Sequence, residues 1–260
     1  MISIIIPALN EEVYIKTILR DLSLQSKIPG EIIVVDSSSD EKTRKAAEQY
    51  KKSLPLLIIK SKKNVSLQRN LGAKRAKGNL LMFLDADIHI VGRDFLLKVE
   101  NMQRKVIFPK IKIQHPNFSE KMAGAVISLT MQCAKLLGIP TARAGCMIID
   151  KLVFEKVKGF NENLRVAEDV DLARRLKSFK PCYSSLIVYE SPRRYRKQGV
   201  IKTLFVWTIQ GLSYFFGKNQ RSYEEIRSKS FILSVEKELV TLRGRRQFWI
   251  TYLQIMRYKF

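Results

Sequence analysis

Leu80-Leu81-Met82-Phe83-Leu84-Asp85-Ala86-Asp87 sets five apolar residues in a row and then stops on two carboxylates spaced i, i+2. A short run that is apolar on both faces, entered after a break at Gly78, reads as a buried strand. The same grammar recurs upstream. Ile2–Ile6 leads into Pro7-Ala8-Leu9-Asn10-Glu11-Glu12, Ile32–Val35 ends on Asp36, and Leu56–Ile59 makes a third run. Helical spacing lies between them, at Val13, Ile15, Ile18, Leu19 and Leu22, then in a segment reaching about Lys52, then over Val65–Ala76. Ser37-Ser38-Ser39-Asp40 reads as a turn and helix N-cap cluster ahead of the second helix. Strands apolar on both faces and separated by helices predict a mainly parallel sheet covered on both sides. Such sheets bind ligands at the carboxyl ends of their strands, where strand order switches. That rule selects the loops Pro7–Asn10, Asp36–Ser39 and Asp85–Asp87.

Beyond residue 93 the rhythm loosens. Val106–Ile113, Cys146–Ile149 and Ser185–Val188 read as strands, and Met122–Leu137, Lys151–Lys156 and Val170–Lys177 as helices. After Pro192 the pattern is helical and basic. The expected organisation is a catalytic domain over 1–192, divided into 1–90 and 91–192, followed by a basic amphipathic helical region over 193–260.

Composition narrows the function classes. The 260 residues are 46% hydrophobic and 27% charged, which excludes a fully disordered chain. The net charge is +23, and residues 193–260 alone hold 15 basic and 4 acidic side chains. That imbalance points to a polyanionic partner: nucleic acid, anionic lipid or a phosphorylated substrate. Cys133, Cys146 and Cys182 form no CxxC pair, so a disulfide framework or zinc knuckle is not expected. His89 and His115 are the only histidines, which leaves little for a Ser-His-Asp triad. MISIIIPALNEE lacks the basic start and long apolar run of a signal peptide. The longest charge-free stretch, Thr203–Gly217, has 15 residues, short of the roughly 20 a spanning helix requires. A cytoplasmic protein, peripheral on the membrane, is the expectation. A basic nucleic-acid-binding protein is the rival, but no recognised nucleic-acid motif is present.

Several side chains have a chemical and a plain structural reading. Asp85 and Asp87 can hold one divalent cation and a diphosphate bound to it, since hard cations take oxygen ligands; a solvated turn is the alternative. Asp36 can accept from a base N–H or a ribose hydroxyl, or cap a helix. Asn10 can be an N-cap, and Glu11 and Glu12 can be favourable charges near a helix start. Arg69 can pair with a phosphate or a carboxylate, or form a surface salt bridge. Asp169, beside Glu168, stands where a general base would take a proton from an acceptor hydroxyl. Alternatively both acids offset a helix dipole and pair with Arg174 or Arg175. Arg193 and Arg194 can clamp phosphates. Trp207, Tyr214, Phe215 and Phe216, bracketed by Lys202 and Lys218, suit a bilayer interface, as do Arg243, Arg245, Arg246, Trp249, Tyr252, Arg257 and Lys259 further on.

Taken together, PALNEE, VVDSSSD, SLQRNLGAKRAKGNLLMFLDAD, AGCMIID…GFNE and AEDVDLARRLK, in this order, resemble the family-2 glycosyltransferases of the GT-A fold over roughly residues 1–190. The resemblance implies an α/β fold of GT-A type: a mixed, mainly parallel sheet flanked by helices, here with a basic helical C-terminal extension. It implies an inverting hexosyltransferase that draws on a nucleotide-diphospho-sugar such as a UDP- or GDP-sugar. Pro7, Ala8, Asn10, Glu12 and Asp36 match positions around the nucleoside, and Arg69 one near it or the diphosphate. Asp85, Ala86 and Asp87 match the DxD that holds Mg²⁺ or Mn²⁺, with Asp87 favoured as the direct ligand and His89 a conceivable addition. Asp169 matches the catalytic base. In related enzymes an Arg-rich segment after the base helix can lie over the donor diphosphate, where Arg193 and Arg194 would fall. The implied acceptor is open, with a lipid-linked or polyprenyl-phosphate acceptor at an anionic membrane among the candidates, and a homo-oligomer is compatible. A GT-A-fold nucleotidyltransferase would carry a Gly-rich basic loop after the first strand, which PALNEE lacks.

Overall fold

The computed structural model of the chain describes residues 1–136, 138–164 and 166–215, with side chains as far as residue 208. The chain divides into two compact units, Met1–Phe205 and Val206–Phe260. The expected basic and aromatic positions Tyr214 and Phe215, by their side chains, and Phe216, Lys218, Arg243, Arg245, Arg246, Trp249, Tyr252, Arg257 and Lys259 lie outside the described residues.

The first half runs β1 (Ile2–Ala8), α1 (Tyr14–Ser23), β2 (Glu31–Asp36), α2 (Lys42–Glu48), β3 (Leu56–Lys60), α3 (Val65–Arg75) and β4 (Leu80–Leu84). It continues through β5 (Ile88–His89), α4 (Phe95–Asn101), β6 (Val106–Ile113), α5 (Phe118–Leu136), β7 (Cys146–Asp150), α6 (Lys151–Lys156) and α7 (Glu168–Arg175). β8 (Cys182–Glu190), α8 (Arg193–Gln198) and α9 (Val200–Phe215) follow.

β1 is buried along its whole length because both of its faces are covered. Ile4 and Ile6 pack with Ile15, Ile18, Leu19 and Leu22 of α1. Ile5, one residue out of phase, belongs to the opposite layer with Ala73, Ala76 and Phe154. This is period-2 alternation with an apolar partner on each side. Each fully buried isoleucine contributes about 1.5–3 kcal/mol.

The strand order is β3-β2-β1-β4-β7-β6-β8-β5. β1 pairs in parallel with β2 and with β4, and β2 with β3. β7 is antiparallel to both β4 and β6, β6 is parallel to β8, and β5 is antiparallel to β8. The sheet is therefore mixed and mainly parallel, as the apolar runs predict. Strand order reverses at β1, since β2 and β3 lie to one side and β4 to the other. That places the crevice rule on the ends of β1, β2 and β4.

α3 sets the depth of this crevice. It buries Ser66, Gln68, Arg69, Gly72 and Ala73, an unusually polar set for an inward face. A Cβ on Gly72 would lie 2.4 Å from Ile5 Cγ2, so the helix backbone rests directly against β1. The close approach carries Gln68 and Arg69 beneath the strand ends.

Candidate active site

The three loops selected from sequence do converge. After β1, Pro7 and Ala8 are buried and Asn10 turns the chain at φ 55°. The Asn10 N–H donates to Ser38 Oγ at 2.8 Å. Asp36 is buried and accepts from the Ser38 N–H at 3.0 Å and the Ser38 hydroxyl at 2.6 Å. Gln68 reaches up from α3 and donates to the carbonyls of Ala8 (2.9 Å) and Val35 (2.6 Å), tying the ends of β1 and β2 together. Neither capping alternative holds. α1 is entered through Val13 without a side-chain cap, and Asp36 spends its carboxylate on Ser38, well before α2 begins. Glu12 is half-buried beside them.

Two arginines organise the acids. Arg69 is 2% exposed, donates to Asp85 Oδ1 at 2.8 Å and Glu168 Oε1 at 2.9 Å, and lies over the Phe160 ring at 5.1 Å. Burial works against its charge, but the flanking Asp85 and Glu168 carboxylates outweigh it and hold the guanidinium pKa above its usual value. Arg69 therefore reaches the crevice through the carboxylates it pins, and the surface salt bridge considered from sequence does not describe it. Its Nε is buried without a hydrogen-bond partner.

Arg193, at the start of α8, holds Glu11 through two bonds of 2.6 and 2.7 Å and Asp87 Oδ2 at 3.0 Å. Its guanidinium stacks 4.3 Å from the Tyr14 ring centroid. Burial raises the pKa of both Glu11 and Asp87; Arg193 pulls each back, while the charge of Asp85 adds to the rise at both. Arg194 is exposed and near enough to lower the pKa of Asp87. Ala86, between the two aspartates, is buried, so it offers a ligand only backbone and shape.

Asp169 lies on the other wall, in the first turn of α7. Its Oδ2 accepts from the Ala144 N–H at 3.1 Å and its Oδ1 from the Val170 N–H at 2.8 Å. Burial, reinforced by the neighbouring Glu168 charge, pushes its pKa up to about 6. The next peptide along from Ala144 meets the aspartate pair, since the Asp85 N–H donates to the Gly145 carbonyl at 3.1 Å. One loop before β7 thus holds both Asp169 and Asp85. The contacts of Glu168 and Arg175 differ from those anticipated. Arg175 binds Asp171 at 2.6 Å, and Glu168 goes to Arg69. The Gly159–Glu162 loop is anchored by Asn70, which exchanges 2.9 Å bonds with the backbone of Phe160.

A divalent cation fits the donor set. Asp85 and Asp87 are hard oxygen donors at one strand end, near enough for the charge of one to raise the pKa of the other. Among the described residues no group of three or more His, Cys, Asp or Glu side chains could hold a metal ion alone. Water and phosphate oxygens would complete the shell. His89 does not join Asp87; it faces Asp21 of α1 at 3.6 Å.

Sequence reasoning did not foresee Glu11, Glu168 and Tyr14 as partners of the arginines, nor Glu190. Glu190 forms an ion pair with Arg143 and accepts from the Tyr195 hydroxyl at 2.9 Å. A cavity of about 470 Å³ lies between α5 and β6, lined in part by Arg143 and Cys146. A larger one, about 620 Å³, is at the opposite end of β1, lined by Met1, Gly30 and Asn79 and remote from these acids.

Comparison with known proteins adds independent findings. The family model described as Glycosyl transferase family 2 matches residues 3–157. An uncharacterized glycosyltransferase of Haemophilus influenzae is 29% identical over 193 residues, covering 68% of this chain and 62% of that protein. The chain thus matches less than two thirds of that relative's length. The mannosyltransferase PcManGT from Pyrobaculum calidifontis, solved with GDP-Man and Mn²⁺, superposes with a TM-score of 0.57 at 16% identity, over 87% of this chain and 66% of that one. S. aureus TarS 1–349, solved with UDP-GlcNAc, superposes with a TM-score of 0.53 at 20% identity, over 73% and 58%. At these identities the two structures establish a common GT-A-type fold.

Proposed function

The chain belongs to glycosyl transferase family 2, and from that premise we propose that it is an inverting hexosyltransferase taking its sugar from a nucleotide-diphospho-sugar. The carrying observation is the contact chain from Asp169 through Ala144 and Gly145 to Asp85, which links a carboxylate of raised pKa to the aspartate pair at the end of β4. Residues 1–90 form the donor half, 91–192 the acceptor half and 193–260 a basic extension.

Pro7, Ala8, Asn10, Glu12 and Asp36 line the nucleoside end, with Asp36 held in one orientation by Ser38. Arg69 holds Asp85 in one orientation through its 2.8 Å ion pair. Arg193 and Arg194 present guanidinium N–H groups to the donor's phosphate oxygens, and Arg193 exchanges Glu11 for them. Asp85 and Asp87 would hold Mg²⁺ or Mn²⁺, which when bound stabilises the negative charge gathering on the departing diphosphate. Asp169 receives the acceptor hydroxyl's proton on a carboxylate oxygen while the acceptor oxygen attacks the sugar C1 from the face opposite the leaving group. A base with a pKa near 6 is ionised at neutral pH and still a competent proton acceptor.

The acceptor is a lipid-linked molecule with a free hydroxyl, such as a glycolipid, met by a peripheral protein at an anionic membrane. The net charge of +23 supports that reading, and the protein acts from the cytoplasmic face. No described helix is long and apolar enough to cross a membrane.

The donor is tested by thermal shift with UDP-, GDP- and dTDP-sugars, with and without Mn²⁺. A donor at one hundred times its Kd stabilises the fold by about 2.7 kcal/mol, so one nucleotide class should raise Tm by several degrees, and more with the metal. No shift with any of them would contradict the proposal.

A further inference from the structure

α5 is the least covered long helix of the first unit. Of its 19 residues only Glu120 and Ala123 are buried. Phe118, Met122, Val126, Leu129, Cys133 and Leu136 are all exposed, Phe118 by 80%, Leu129 by 61% and Leu136 by 88%. Their spacing of three and four puts them on one face, a stripe about 27 Å long at 1.5 Å per residue. Single exposed hydrophobics are ordinary, but a continuous stripe of this length marks a contact surface.

The cavity of about 470 Å³ lies beneath this helix, walled by Gly124, Ile127 and Met131 of α5, Ile111 and Ile113 of β6, and Tyr183 of β8. Lys110, Lys112 and Lys121 also line it, and none of them has an ion-pair partner among the described residues. The helix has one acid, Glu120. It is turned inward, 3.1 Å from Arg196, and accepts from the Asn117 N–H at 2.9 Å. The exposed positions of α5 are the apolar stripe, the neutral Ser119, Ala125, Thr130 and Gln132, and the lysines Lys121 and Lys135, the latter over the Tyr183 ring, with no carboxylate among them.

We propose that α5 seats the protein on an anionic bilayer, and that the cavity under it takes the apolar chain of one anionic lipid whose head group meets Lys110, Lys112 and Lys121. An in-plane helix with an apolar face and cationic flanks matches the bilayer boundary. A second copy of the same face would set cations against cations, which opposes self-association. The cavity reaches Arg143 and Cys146, which flank the Ala144-Gly145 peptide that holds Asp169 and Asp85. A lipid whose head lies at the Arg143 end is next to the loop that donates to Asp169, which makes the cavity the acceptor subsite. This last step rests on the glycosyl-transfer reading; the lipid seating does not.

The full chain is sedimented with vesicles of phosphatidylcholine, with and without phosphatidylglycerol. Binding is expected only to the anionic vesicles, and Met122→Glu with Leu129→Glu should weaken it about tenfold or more. Both positions are exposed, so an unchanged Tm and an unchanged donor thermal shift separate this result from misfolding and from failure of the enzymatic reading. An environment-sensitive fluorophore on Cys133, in a Cys182→Ser background, should shift to the blue on anionic vesicles.

The cavity is probed with a pyrene-labelled fatty acid. A Cβ on Gly124 has its nearest neighbour, Ile113 Cδ1, at 3.8 Å, so Gly124→Leu fits the backbone and fills the space. It should lower the probe's affinity at least about fivefold, and inorganic phosphate should not displace the probe. Equal vesicle binding by the double variant, an unshifted Cys133 fluorophore, Cys133 cross-linking between two copies, or probe binding unaffected by Gly124→Leu would overturn the proposal.

Discussion

Replacing Arg69 with Met tests whether the interior arginine is what makes a cluster of carboxylates tolerable. The substitution keeps the side chain's length over the Phe160 ring and removes its charge. It leaves Asp85 and Glu168, which the guanidinium meets at 2.8 and 2.9 Å, without a counter-ion. Stranding a buried charge costs about 3–5 kcal/mol. Asp85 is 33% exposed and Glu168 15%, so water recovers part of this and the lower end, about 3 kcal/mol, is expected. At 2–4 °C per kcal/mol for a domain of this size, Tm should fall by about 6–12 °C. Thermal unfolding followed by circular dichroism at neutral pH reads the change. A Tm within about 2 °C of the parent's would refute the reasoning.

Further outcomes follow from the geometry. Gly72→Ala sets a Cβ 2.4 Å from Ile5 Cγ2, and such overpacking should cost about 1–3 kcal/mol in denaturant unfolding; a neutral result would mean that α3 can lift off β1. Asp169→Asn should lower kcat by about 10²–10⁴ with donor affinity nearly unchanged; an unchanged kcat would point to a phosphate acceptor that needs no base. Activity of the parent should fall as pH drops through about 6, where Asp169 protonates. The same raised pKa means that its contribution to stability declines as pH rises from about 4 to about 6, since the folded form binds the proton more tightly. Arg193→Ala should raise the donor KM about tenfold or more and also lower Tm by several degrees, because it strands the partly buried carboxylates of Glu11 and Asp87; an unchanged KM would confine Arg193 to those contacts.

What the sequence revealed and what it hid have a physical pattern. β4, β6 and α6 begin and end where their residue patterns predict, because each is bounded by breakers or a polar stop. α5 starts at Phe118, four residues before the expected Met122. The missed signal was a capping box, in which the Glu120 N–H donates to Asn117 Oδ1 and the Asn117 N–H to Glu120 Oε2, both at 2.9 Å. α7 starts at Glu168 and not Val170, since its first turn is acidic and carries no apolar period. β5, with two residues, is too short to leave any period, and α4 shows only Phe95, Leu96 and Val99 on its buried side. Asp36 and Asp85 were legible because they end apolar runs, whereas Asp169 stood out only through the family resemblance. Their partners were not. Arg69 and Glu168 are 99 positions apart, and Arg193 and Glu11 are 182 apart, so only the folded strand order brings them together.

The proposed reaction requires that Asp85 and Asp87 grip one cation together with the diphosphate of a sugar nucleotide. A crystal of the chain grown with Mn²⁺ and the sugar nucleotide that gives the largest thermal shift, measured at the manganese absorption edge, addresses it directly. One anomalous peak is expected at the end of β4, within coordination distance of Asp87 and of two phosphate oxygens. An ordered nucleotide sugar lodged elsewhere, with no anomalous density at those aspartates, would contradict it.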